Sequence, residues 1–132
     1  MSIFNIFKRK NQVDNSKEIK LVLLIDEAQR VCKDKTHSFM SKISAEMRKY
    51  GLMLITSTQM PTELDKSIIA NSAIKITFYQ DEPEEFDYVV RLLTTGYDRE
   101  QTELISKAIR DLGIGDCMVY TNNELTKIRG NK

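Results

Sequence analysis

Two aliphatic runs constrain this chain more than any other feature: Leu21-Val22-Leu23-Leu24-Ile25 and Leu52-Met53-Leu54-Ile55-Thr56, each stopping abruptly at polar residues. A strand with one wet face alternates apolar and polar side chains. A strand that is apolar at every position needs cover on both sides, as in the parallel sheet of an α/β protein.

The segments around these runs have helical spacing. Phe39, Met40, Ile43, Met47 and Tyr50 fall on one stripe that stops at Gly51. Pro61 ends the second run, and Thr62 with Asp65 has the form of a capping box opening a short helix that contains Leu64, Ile68 and Ile69. A third strand is expected over Ala73 to Phe78, followed by a helix with Phe86, Val89, Val90 and Leu93 on one face. Beyond Gly96, Asp98 is placed to cap a last helix with Leu104, Ile105, Ala108, Ile109 and Leu112 on one side. Gly113 and Gly115 then lead into a fourth strand, Cys117-Met118-Val119-Tyr120. Strands alternating with helices predict right-handed crossovers, hence an α/β fold with a mainly parallel sheet of about four strands and helices on both faces.

At 132 residues and 41% hydrophobic, the chain suits a single core. Its 20 basic and 19 acidic side chains nearly cancel, so no overall basic field marks a nucleic-acid binder and any DNA contact must be local. Residues 1–19 are expected to form a flexible basic leader. Its apolar residues Ile3, Phe4, Ile6 and Phe7 precede Lys8-Arg9-Lys10, the reverse of a secretory signal. That run is far short of the roughly 20 residues that span a bilayer. A surface anchor at an anionic headgroup layer is the competing use of such a segment, but a frayed leader, no membrane contact and a cytoplasmic location are the expectation. Cys32 and Cys117 form no CxxC and read as reduced packing residues, and the single histidine, His37, lies in a polar stretch.

Ligands of open parallel sheets collect at the carboxyl ends of strands, which here means Asp26-Glu27 and Ser57-Thr58-Gln59. Aliphatic residues followed by Asp-Glu form the Walker B pattern, in which one carboxylate serves Mg²⁺ and the next polarises the water attacking a γ-phosphate. Asp26 would then be the metal residue and Glu27 the catalytic one; a turn cap and a solvated glutamate give the same sequence. Gln59 could sense a γ-phosphate beside Glu27 or be a turn amide before Pro61. Arg48 could reach a phosphate across a subunit boundary or merely complement a helix end.

LVLLIDEAQRV, MRKYGLMLITSTQMPTELDKSIIANSAIKITF, FDYVVRLL and LGIGDCMVY together resemble, in order and spacing, the HerA/FtsK family of P-loop ATPases, over roughly Lys20 to Tyr120. The stretch Arg48-Lys49-Tyr50-Gly51 and the Thr58-Gln59-x-Pro61 turn are similar to the archaeal HerA helicase and to the conjugation ATPases of type IV secretion. The resemblance implies a partial RecA-like P-loop NTPase fold at 20–124, its carboxy-terminal half, with 125–132 a polar tail. It further implies Asp26 and Glu27 as Walker B, Gln59 as sensor, Arg48 as intersubunit arginine, ATP with Mg²⁺ as cofactors, and a ring that translocates double-stranded DNA. Gln29 and Thr58 depart mildly from the family pattern.

A GxxxxGK[ST] loop is absent from the 132 residues. Without its amides and lysine, Asp26 and Glu27 would repel a polyphosphate. Weak ATP binding by this chain alone is therefore expected, with a P-loop supplied by another chain; a P-loop-bearing ATPase chain or like subunits in a ring are the expected partners. The alternative is a non-catalytic docking or regulatory module derived from such an ATPase. A flavodoxin-like binding domain is the most distant possibility.

Overall fold

A computed structural model describes residues 19–32 and 46–130. The expected leader up to residue 18, His37 and the stripe residues Phe39, Met40 and Ile43 lie outside them. The chain divides into two compact units, one ending at Asn71 and the other beginning at Ser72.

In the first unit, β1 (Leu21–Ile25) and β2 (Leu52–Thr56) are the two aliphatic runs, paired in parallel with Leu21 opposite Leu52 and Ile25 opposite Thr56. At their leading ends the Lys20 amide donates to the Gly51 carbonyl at 2.7 Å, and at their trailing ends the Ser57 amide donates to the Ile25 carbonyl at 2.9 Å. Gly51, at φ 70°, turns the chain from a 3-10 turn over Met47–Tyr50 into β2, a conformation that costs a residue without Cβ little. A second 3-10 turn, Pro61–Glu63, precedes the short helix α1 (Lys66–Asn71). Asp65 rather than Thr62 caps α1, its Oδ1 accepting from the Ser67 amide at 2.8 Å and hydroxyl at 2.7 Å. The expected cover on both faces of β1 and β2 is only partly found. The cross-strand partners Val22 with Met53 and Leu24 with Ile55 are exposed.

The second unit contains β3 (Ile74–Thr77), α2 (Pro83–Leu93), α3 (Arg99–Arg110), β4 (Cys117–Thr121) and β5 (Glu124–Ile128). Phe86, Val89, Val90 and Leu93 of α2 recur at the predicted spacing and meet Ile109, Leu112 and Met118 in one core, with Ile105, Tyr120 and Leu125 against it. Asp98 and Gln101 form a reciprocal capping box on α3, as the sequence predicted. Leu104 departs from its predicted stripe and is exposed.

The sheet order corrects the expected four-stranded parallel arrangement: the first unit holds a two-stranded parallel sheet, β1-β2, and the second a separate three-stranded antiparallel sheet, β3-β4-β5. The two helices expected between β3 and β4 are both present. A strand followed by two reversing helices returns in the opposite sense, which the expectation of a right-handed crossover to a parallel neighbour overlooked. β5 takes up residues 125–128, the first half of what was expected to be a polar tail. It closes on β4 through Asn122 and Asn123, at φ 51° and 62°, the positive values that a two-residue hairpin turn requires. Among the described residues, helices on both faces are also not found for this sheet. Met118, Tyr120 and Leu125 turn toward α2 and α3, while Ile74, Ile76 and Ile128, which alternate with the inward residues, are exposed.

Candidate functional site

Because β1 and β2 run parallel and in register, the residues that follow them emerge at the same end. The chain after Ile25 and the chain after Thr56 are stitched together there. The Ser57 amide donates to the Ile25 carbonyl, and the Ala28 amide returns a bond to the Ser57 carbonyl at 2.8 Å. The Ser57 hydroxyl donates to Asp26 Oδ1, which also accepts from the Glu27 amide at 3.0 Å. The Thr58 hydroxyl donates to Gln29 Oε1 at 2.7 Å and accepts from the Met60 amide at 3.0 Å. The two Asp26 bonds, from the Ser57 hydroxyl first and the Glu27 amide second, hold its carboxyl below the usual 3.8. Stabilising an anion by hydrogen bonds has this sign, because both donors favour the ionised form.

Glu27 is the one described non-glycine residue outside the Asn122-Asn123 turn with a left-handed backbone, φ 49° and ψ 47°. That conformation costs a residue with a Cβ on the order of 1 kcal/mol and is tolerated only where neighbours fix it. Here the fixing comes from the Ala28 amide on Ser57 and from the 3-10 turn Ala28–Arg30 that follows. The Glu27 carboxylate lies 2.8 Å from Arg30 Nε, in a pair with 40% and 73% of the two side chains exposed. Such an exposed pair contributes ~0–1 kcal/mol, so the carboxylate is readily released to another partner.

Gln59 lies three positions beyond β2 at the same end of the sheet as Asp26 and Glu27, and it is exposed. Arg48 belongs to the 3-10 turn that leads into β2, at the opposite end. The Lys20 to Gly51 bond marks that end, and a five-residue strand separates the two by about 16 Å. The structure thus gathers Asp26, Glu27 and Gln59 and sets Arg48 apart from them within one chain.

Sequence reasoning named Ser57 only as a polar residue after the second run and Gln29 only as a departure from the family pattern, and gave neither a role. Gln29 is 8% exposed and holds Thr58, while Ser57 holds Asp26. The signal for both lay in the pairing: once two strands are parallel and in register, the polar residues just past each are neighbours. Among the described residues no group of three or more His, Cys, Asp or Glu side chains forms a metal cluster. Magnesium accompanying a nucleotide asks for less, typically one or two carboxylates with phosphate oxygens and waters, and Asp26, kept ionised, fits that demand. No described helix is long and apolar enough to cross a membrane. A cleft of about 330 Å³ in the second unit, lined by Tyr79, Asp81, Phe86, Asp87 and Arg110 among others, includes none of the predicted site residues.

No protein-family model matches the chain, and no curated protein is similar to it at a significant level. Solved structures are similar. The genome packaging NTPase B204 of Sulfolobus turreted icosahedral virus 2, in complex with AMPPCP, superposes with a TM-score of 0.64 at 22% identity, over 84% of this chain and 55% of that one. Its complex with ATP-gammaS gives the same TM-score and identity over 52% of that chain. B204 of Sulfolobus turreted icosahedral virus, the DNA-packaging ATPase, gives 0.66 at 20% identity, over 84% and 52%. The chain thus spans about half the length of the solved structures it matches, and over that length it has the fold of a packaging NTPase.

Proposed function

We propose that this chain is the Walker B half of a HerA/FtsK-like ATPase that couples ATP hydrolysis to DNA translocation, completed by a P-loop from another chain. The in-register parallel pairing of β1 with β2 supports this most, because it brings Asp26, Glu27 and Gln59 to one strand end. The fold shared with B204, a DNA-packaging ATPase crystallised with ATP analogues, points the same way. In this reading Asp26 holds the magnesium that accompanies ATP, Glu27 polarises the attacking water, and Gln59 orients it or senses the γ-phosphate. Arg48, at the far end of β2, serves the site of a neighbouring subunit in a ring around double-stranded DNA.

The test is nucleotide affinity and hydrolysis with and without the P-loop chain. This chain alone should bind ATP weakly and hydrolyse none. In the assembled motor, Glu27→Gln should lower kcat by about 10²- to 10⁴-fold with nucleotide binding retained, and Arg48→Ala by about 10³- to 10⁵-fold. Hydrolysis that tolerates both substitutions would sink the proposal. It would favour the second reading, a non-catalytic docking or regulatory module, which the absence of a GxxxxGK[ST] loop from the 132 residues supports.

A further inference from the structure

The alternation of β3 is inverted relative to the helices that pack on its sheet. Its inward residues are Lys75 and Thr77, opposite Tyr120 and Met118, while its outward residues are Ile74 and Ile76. Lys75 is half-buried, donates to the Ser72 carbonyl at 2.7 Å and lies 5.4 Å from the centre of the Tyr120 ring. Burial pushes its ammonium below the usual 10.5. Ile74 and Ile76 are 55% and 57% exposed, and Ile128 on β5, facing the same way, is 50% exposed. Phe78, just past β3, is 56% exposed. A one-residue slip would have turned the isoleucines inward, so a strand that keeps them outward is built to be covered on that side.

We infer that this face of β3-β4-β5 docks the chain that carries the phosphate-binding loop, through an apolar surface of that chain. The inference rests on the proposed function and assigns the surface by which the two halves join. Two observations favour this occupant. The face carries isoleucine, valine and threonine with Glu124 its one charged residue, at the rim, so it complements an apolar partner and not a nucleic acid or an acidic membrane. The packaging NTPase structures have nearly half their length unmatched by this chain, so a fold of that kind has further layers to supply.

The test is binding of a GxxxxGK[ST]-bearing ATPase chain to this 132-residue chain, read by sedimentation and by titration. Ile74→Glu combined with Ile76→Glu should weaken the complex about 100-fold, because two carboxylates would be buried against apolar surface. Ile128→Glu, on a different strand of the same face, should weaken it in the same direction. Leu104→Glu, an exposed apolar residue on α3 away from this face, should change affinity less than about 2-fold. Circular dichroism melts of all variants establish that folding is retained. Unchanged binding by both face variants overturns the inference and leaves the proposed function standing. A self-dimer that Ile74→Glu and Ile76→Glu disperse, with P-loop binding intact, also overturns it in favour of a second copy as occupant. Failure of the unaltered protein to bind any P-loop chain overturns the proposed function and this surface with it.

Discussion

Asp26 carries two hydrogen bonds that define its state. A carboxyl held below its usual value stays charged through the physiological range, ready for a divalent cation. The sign for stability follows. Its folded value lies below the unfolded one, so its contribution is present above 3.8 and is lost as pH falls through the lowered folded value. Ser57 is the larger cause, so Ser57→Ala should raise the Asp26 midpoint toward 3.8 in a carbon-detected NMR titration, with the Glu27 amide bond still giving a residual depression. A midpoint unmoved by that substitution would mean that the Ser57 hydroxyl does not hold the carboxyl in solution. At this scale Asp26, Glu27 and Gln59 could be picked out from the sequence because polar residues stood directly after apolar runs. The roles of Ser57 and Gln29 could not, because they depend on which strand lies next to which.

Among the elements, α3 has its beginning written locally and its stability written by contact. Asp98 and Gln101 satisfy each other's backbone amides, with the Gln101 amide 2.8 Å from the Asp98 carboxylate. Removing the cap with Asp98→Ala should cost about 1 kcal/mol in urea unfolding. Ile109→Ala, at a fully buried position, should cost about 2–5 kcal/mol by leaving a cavity. Equal losses from the two would contradict the packing described for α2, α3 and β4. The helices were legible because a 3.6-residue stripe and a capping box are local signals. The direction of β4 was not: both helices between β3 and β4 were expected, but strands alternating with helices were read as parallel crossovers throughout. β5 was missed because Glu124-Leu125-Thr126-Lys127-Ile128 is mostly polar and exposed, and only the Asn122-Asn123 turn marks it.

Across the whole molecule, length and hydrophobic content pointed to a single α/β core, whereas the described residues form two compact units with separate sheets. Sequence periodicity reports whether a strand has two apolar faces; it cannot report what covers them, and here part of that cover is not supplied by the described residues. One feature of β1 and β2 reaches beyond a single copy. Glu27 and Arg48 belong to opposite ends of the same pair of parallel strands, with about 16 Å of strand between them within one polypeptide. On the proposed function, two individually dead variants, Glu27→Gln and Arg48→Ala, should complement each other when co-assembled. Some junctions would then join an intact carboxylate to an intact guanidinium and recover turnover that neither variant shows alone; a mixed preparation as inert as its parents would mean that the arginine does not act in trans.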